Sequence, residues 1–144
     1  MASITSLNAK ITFSIPDIFA SGQLLQGFAA DDIYDYDNLE VAETLMGVDG
    51  FLSAGLVKQA VVQNIALQAD SPSCNIFDQL VAAQKSANDV IFCTCIVSLP
   101  SLKLQFAQGP GVLRSYTPIS AGKRVLQPRR FTWVWQEVVP SRIT

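Results

Sequence analysis

Residues 131–136 read Phe131-Thr132-Trp133-Val134-Trp135-Gln136, with Phe131, Trp133 and Trp135 on one parity and Thr132, Val134 and Gln136 on the other. Side chains of a β-strand alternate between faces with a period of two, whereas a helix would scatter the two Trp onto different sides. The β-branched and aromatic content points the same way. The stretch therefore predicts a strand with one heavily apolar face, and such a face demands other elements to cover it.

Working outward from this strand, period-two order recurs. Ile11-Thr12-Phe13-Ser14-Ile15 is apolar on odd positions and stops at the Pro16-Asp17 turn signal. Residues 22–29, GQLLQGFA, form a second candidate strand. Over 60–69, Val61, Ile65 and Leu67 share a face opposite Asn64 and Gln68. Residues 90–99, VIFCTCIVSL, are apolar almost throughout, as expected of a strand covered on both faces. After Pro100-Ser101, the run Leu102-Lys103-Leu104-Gln105-Phe106 alternates again. Val48-Asp49-Gly50-Phe51 holds the Asp-Gly pair that favours a type I′ hairpin, here joining 39–46 to 51–57. Gln108-Gly109-Pro110-Gly111 and Ser120-Ala121-Gly122-Lys123 read as further loops.

One segment has a helical period. Asp70-Ser71-Pro72-Ser73 offers capping residues, and Ile76, Phe77, Leu80, Val81 and Gln84 follow on one face of an amphipathic helix over about 74–88. Its expected job is packing, closing one end of a barrel. The fold class is mainly β: an antiparallel β-barrel or sandwich with one flanking α-helix, in a single domain over 1–144.

Composition narrows the function. The chain has 144 residues, 10 Lys+Arg, 12 Asp+Glu and no His, for a formal net charge of −2. Charged residues are 15% against about 25% in an ordinary soluble domain, and mean hydropathy is +0.30. Yet the longest uncharged stretches, 18–30 and 90–102, span 13 residues each, short of the about 20 apolar residues of a spanning helix. No membrane span is expected. The remaining way to hide so much apolar surface is against further copies or a partner.

Without His there is no His-based triad, no HExxH zinc site and no imidazole acid/base. Cys74, Cys93 and Cys95 form no CxxC pair; Cys93 and Cys95, two apart in an apolar strand, read as buried free thiols. There is no GxSxG, P-loop or GxGxxG, and no SxxK in a suitable context. No enzyme, metal site or cofactor is expected. The N-terminal residues lack the basic-then-apolar pattern of a signal peptide, so synthesis in a reducing cytoplasm is expected.

The charge map carries the most information. From Ile11 to Val57 there are eight acids and no Lys or Arg, seven of them being Asp31, Asp32, Asp35, Asp37, Glu40, Glu43 and Asp49. From Val97 onward the balance inverts, with Lys103, Arg114, Lys123, Arg124, Arg129, Arg130 and Arg142 against Glu137. The two poles either meet within one monomer as weak surface ion pairs or serve head-to-tail association between copies. A nucleic-acid footprint on Lys123, Arg124, Arg129 and Arg130 fits poorly with a pI near 4.9. Low total charge favours association. The cluster Asp31-Asp32-Ile33-Tyr34-Asp35-Tyr36-Asp37 lacks EF-hand spacing and reads as a solvated acidic loop, or one lining a surface from which DNA is repelled. The expected interface candidates are thus Asp31, Asp32, Asp35, Asp37, Glu40, Glu43 and Asp49, the acids serving either subunit contact or lumen, against Arg114, Lys123, Arg124, Arg129 and Arg130. Charge reversal at Arg129 and Arg130 is expected to block polymerisation and leave the monomer folded.

Several stretches, Gln26-Gly27-Phe28-Ala29-Ala30-Asp31-Asp32, Met46-Gly47-Val48-Asp49-Gly50-Phe51-Leu52-Ser53-Ala54-Gly55, Leu67-Gln68-Ala69-Asp70-Ser71-Pro72-Ser73, Ile76-Phe77-Asp78 and Val125-Leu126-Gln127-Pro128-Arg129-Arg130-Phe131-Thr132, resemble the tail tube proteins of contractile-tailed bacteriophages. The resemblance implies two packed sheets with a flanking helix, related to type VI secretion tubes. It implies hexameric rings stacked head-to-tail into a conduit for DNA ejection inside a contractile sheath. Implied partners are the chain itself, the tail sheath protein, baseplate and tail terminator proteins, and the tape measure protein and genomic DNA in the lumen. The implied location is the virion tail. The alternatives are a tail terminator, baseplate hub or secreted tube of the same fold, or a monomeric small-ligand β-barrel recognisable by a closed pocket with convergent polar groups.

Overall fold

In the computed structural model, described over residues 9–16, 19–26 and 34–142 (backbone alone at 19–21), Phe131, Trp133 and Trp135 are all fully buried and Thr132 and Val134 half-buried. They lie on β9 (Arg129–Arg142). The strands before it are β1 (Lys10–Ile15), β2 (Phe19–Leu24), β3 (Tyr34–Tyr36), β4 (Ala42–Met46), β5 (Leu52–Leu56), β6 (Val61–Leu67), β7 (Cys93–Leu99) and β8 (Leu104–Tyr116). One α-helix among the described residues, α1 (Ser73–Ala87), separates β6 from β7. Seven strands form one antiparallel sheet in the order β2-β1-β7-β8-β9-β6-β3, and β4 and β5 form a second, two-stranded antiparallel sheet. The mainly β class with two antiparallel sheets and one helix is as expected.

The larger sheet curls on itself. β1 and β9 are separated by β7 and β8, about 14 Å in a flat sheet with strands about 4.8 Å apart. Nevertheless the Phe13 ring centroid lies 4.8 Å from Trp133 and 5.8 Å from Trp135. The core is therefore the inside of the curl, lined by Ile11, Phe13, Ile15, Cys93, Cys95, Val97, Ile65 and the three β9 aromatics. The helix plugs the end where β6 finishes and β9 begins. Phe77 packs edge-on to Phe13 at 5.2 Å and lies 4.6 Å from Phe131 and 5.5 Å from Trp133, and Leu80 is fully buried beside it. Such aromatic pairs add roughly 0.5–1.5 kcal/mol each beyond area burial.

Several local readings need correction. Gln108-Gly109-Pro110-Gly111 is not a loop but lies inside the 13-residue β8, with a cis Gly109–Pro110 bond. A bulge absorbs it: Cys93 pairs with Gly111 but Cys95 with Gln108, and a proline, lacking an N–H, is tolerated at a bulge. At Gly111 the Trp135 ring comes so close that a Cβ would sit 2.3 Å from Trp135 Cε3 and 2.6 Å from the Val134 carbonyl oxygen. The second candidate strand starts earlier than 22–29, because the turn after Ile15 pairs Ile15 with Phe19 directly; residues 27–29 lie outside the described set. β7 is covered on one face in this chain: Cys93, Cys95 and Val97 point inward, while Thr94 and Ile96 are exposed, since α1 sits at the end of the curl and not on its outer face.

Asp49-Gly50 does turn a hairpin, but not of type I′. The Gly50 N–H donates to the Gly47 carbonyl at 3.0 Å, and of the pair only Gly50 has positive φ, 88°. This is a four-residue turn followed by a left-handed glycine. At the helix start Pro72 makes no side-chain cap bond, but Ser71 Oγ accepts from the Ser73 N–H at 3.2 Å. Ser71 Oγ also donates to the Gln26 carbonyl and Ser73 Oγ accepts from the Gln26 N–H at 2.7 Å, so the expected capping serines fasten the segment after β2 as well.

Candidate assembly surfaces

The chain leaves β3 at Tyr36 and re-enters the sheet at Val61, and the β4–β5 hairpin between them forms an arm. Every residue of both arm strands is exposed, including Leu45 at 75% and Leu56 at 80%, as is Phe51 just before β5 at 74%. The register Ala42↔Leu56, Thr44↔Ala54 and Met46↔Leu52 places these six on one face. Glu43, Leu45, Ser53 and Gly55 form the other. One face is thus almost wholly apolar and the other carries the charge.

The described acids among those expected are near this arm or its root. Asp31 and Asp32 lie outside the described residues. Asp35, on β3, accepts from Asn64 Nδ2 at 2.8 Å, and Asp37 donates its backbone N–H to the Val62 carbonyl at 3.1 Å. Glu40 exchanges hydrogen bonds with Gln59 across the arm's base at 2.9 and 3.4 Å. Glu43 is exposed on β4, and Asp49 Oδ1 accepts from the Phe51 N–H at 3.3 Å in the turn. The partners in these hydrogen bonds are neutral groups, not cations.

The basic candidates gather at the opposite end, where β8 finishes and β9 begins. Arg114 is exposed on β8, Lys123 and Arg124 on the connecting loop, and Arg130 on β9. The same loop exposes Ile119, Val125 and Leu126. Arg129 requires a correction. It is 7% exposed, its Nη1 and Nη2 donate to Asp78 at 3.0 and 2.7 Å, and its Nε donates to the Thr117 carbonyl at 3.0 Å. Its guanidinium also lies 5.2 Å from the Phe131 ring centroid. Hydrogen bonding to Asp78 raises its pKa further above an already high value, so it stays charged. Arg129 fastens helix to sheet, and reversing it would set a carboxylate against Asp78; it is not a group whose reversal leaves the monomer intact.

Sequence reading missed the open end of the curl. Opposite the helix, the inner face ends in an apolar mouth of about 340 Å³, lined chiefly by Tyr34, Tyr36, Val97, Leu99, Phe106 and Val138. Its floor is a buried polar network. Tyr36 Oη donates to Gln108 Oε1, Gln63 Nε2 donates to Tyr36 Oη at 3.0 Å, and Gln63 Oε1 accepts from Gln108 Nε2 at 3.1 Å and Trp135 Nε1 at 2.9 Å. Burial raises the Tyr36 pKa, which keeps the hydroxyl a donor. The network ties three-residue β3, and so the arm's root, to the core. The parity of Gln63 with Val61 and Ile65 was the available signal. Strand pairing also sets Lys10 beside Ser98 and Arg142 beside Leu104, and Lys103 directly precedes Leu104 in the chain, so three cations rim this end.

The thiols of Cys93 and Cys95 are free and buried, as read, and Cys74 is free and buried too. Burial pushes Cys93 and Cys95 up to about 12. Among the described residues no three His, Cys, Asp or Glu side chains are grouped to hold a metal, and no helix is long and apolar enough to cross a membrane.

A curled sheet with a bare amphipathic arm and exposed apolar and charged surface at both ends defines a structural subunit, one whose surfaces are made to meet other protein. Solved structures share its fold. A chain of the anti-feeding prophage baseplate, 6-fold symmetrised, aligns with a TM-score of 0.62 and 13% identity over 100% of this chain and 99% of that one. A chain of the anti-feeding prophage tube-terminating cap aligns at 0.58 and 11% over 92% and 87%. A chain of an extracellular contractile injection system, the PVC sheath-tube complex in its extended state, aligns at 0.52 and 12% over 93% and 89%. No curated protein matches the sequence. The chain belongs to the tail fiber protein gp32 family, whose model matches residues 2–139, and its role is that of a structural tail protein.

Proposed function

We propose that this chain is a non-enzymatic tail tube subunit, one domain per subunit, that forms hexameric rings stacked head-to-tail inside a contractile sheath. The observation that carries the reading is the arm. All ten strand residues are exposed, and the large apolar ones among them, Leu45, Met46, Leu52 and Leu56, form a surface that an isolated soluble protein does not leave wet in one patch. Among the described residues β2 and β3 are the edge strands of the large sheet, and sheet edges are where ring closure would add pairing. Acids at the arm end and cations with Ile119, Val125 and Leu126 at the helix end suit ring-on-ring stacking. Sheath, baseplate, terminator and tape measure proteins are the partners this role requires, and the virion tail its location.

A second reading, a cap or baseplate ring of the same fold, is favoured by the higher TM-scores to the cap and baseplate chains, 0.58 and 0.62, than to the sheath-tube chain, 0.52. Electron microscopy and sedimentation of the purified chain separate the two. Tubes of stacked rings with a central channel are expected. Single rings that never stack support the cap or hub, and a monomer at high concentration overturns both.

A further inference from the structure

The apolar mouth is open to solvent in the single chain, and its chemistry says what covers it. Among its lining residues the polar groups are Asp37 at the rim and the hydroxyls of Tyr34 and Tyr36. The Tyr36 hydroxyl is already committed to Gln63 and Gln108. Polar groups converging on a small polar ligand, which a metabolite site requires, are not what this lining offers. Its complement is an apolar segment, and the rim cations Lys10, Lys103 and Arg142 ask for one that carries acid and no base.

One segment of this chain has that chemistry. The arm's apolar face holds Met46, Leu52 and Leu56, and residues 38–57 contain Glu40, Glu43 and Asp49 with no Lys or Arg. Its own mouth is not where it sits, since all ten strand residues are exposed. With about ten residues out from the root, it reaches roughly 33 Å, enough to cross onto another subunit.

Arm and mouth also share one end of the molecule. β3 leaves and β6 returns there, and Leu99 and Leu104 mark the same end of β7 and β8. A cyclic ring presents this end of every copy on the same side. Arm and mouth therefore meet between lateral neighbours, whereas stacking sets this end against the helix end of the next ring.

We propose that the apolar face of each arm, Met46, Leu52 and Leu56, covers the mouth of the neighbouring copy within a ring, against Leu99, Phe106 and Val138. This rests on the tube-subunit reading. The charged face, with Glu43, is then left turned toward the next ring and its Lys123 and Arg124 loop.

The test pairs Leu52→Cys with Leu99→Cys in the full chain and adds diamide to oxidise the two thiols to a disulfide. The three native thiols are buried and give little background. The expected result is an intermolecular ladder on a denaturing gel, with no ladder from Leu52→Cys/Leu126→Cys, which probes the arm against the basic loop. A ladder from the second pair only, or an intramolecular 52–99 bond with no ladder, overturns the proposal. As a second measurement, Leu52→Asp, exposed in the single chain, should leave the circular dichroism unchanged and weaken assembly roughly thirtyfold or more; unchanged assembly overturns the proposal as well. Sedimentation of the native chain keeps the failures apart. Rings or tubes without the 52–99 ladder sink the arm-in-mouth contact alone, and a native monomer sinks the tube reading on which it rests.

Discussion

At the scale of single residues, the buried thiols make the sharpest pH prediction. Cys93 and Cys95 are held neutral by burial, pushed from an ordinary value of about 9 to about 12. Between those values the unfolded chain has released its thiol protons and the folded chain keeps them. The unfolded state binds fewer protons there, so stability falls as pH rises, by up to about 1.4 kcal/mol per thiol per pH unit. Their contribution is fully present below pH 9 and is lost on passing through about 12. Urea unfolding from pH 8 to 11 should show this decline, and Cys93→Ala/Cys95→Ala should flatten it; an unchanged slope in that variant refutes the assignment. That these thiols are buried was legible from two Cys at one parity in an apolar run. The fate of Arg129 was not. Seen in sequence it belongs with Arg130 as one basic pair, but strand alternation turns neighbours to opposite faces, and Arg129 reaches Asp78 51 positions away. Gln63 was likewise hidden, because its three partners Tyr36, Gln108 and Trp135 come from three other strands.

At the scale of elements, β9 was legible because it needs no partner to be recognised: alternation of three aromatics declares both the strand and its inward face. β8 was misread because turn residues were taken at their usual meaning. Gly109, Pro110 and Gly111 stand in a strand at the point where it bulges against β7 and where Trp135 lies on the backbone. Gly111→Ala tests that account. The added Cβ would meet the Trp135 ring at 2.3 Å and the Val134 carbonyl oxygen at 2.6 Å, backbone and a packed indole with no room to yield. Overpacking of this kind costs about 1–3 kcal/mol, so urea unfolding should show a loss in that range for Gly111→Ala. Gly55→Ala, on the exposed arm with no atom within 4 Å of the new Cβ, should show almost none. Equal stability of the two variants would contradict the close approach.

At the scale of the whole molecule, the acids of the arm and the cations of the β8–β9 connection stand at opposite ends, while Lys103 and Arg142 return to the arm's end, and that arrangement separates two kinds of contact. The sequence showed which residues are acidic and which basic. That Asp37, Glu40, Glu43 and Asp49 lie away from Lys123 and Arg124 came only from topology, because those acids sit in the excursion between β3 and β6 and those two cations in the connection between β8 and β9. A stack held by these ends is an electrostatic contact between exposed groups, and salt shortens the reach of such contacts from about 10 Å at 0.1 M to about 3 Å at 1 M. The lateral contact of arm and mouth is apolar, and strongly hydrated salts such as sulfate strengthen apolar burial. The two should therefore come apart under the same treatment. Raising ammonium sulfate to about 1 M, or substituting Lys123→Glu and Arg124→Glu at low salt, should turn tubes into single rings without releasing monomers, as read by sedimentation and electron microscopy. Leu52→Asp should do the reverse of this and release monomers under both conditions. Tubes that keep their length in Lys123→Glu/Arg124→Glu at low salt would remove the charged ends from the stacking contact, and the loop's apolar residues, Ile119, Val125 and Leu126, would then have to hold one ring to the next.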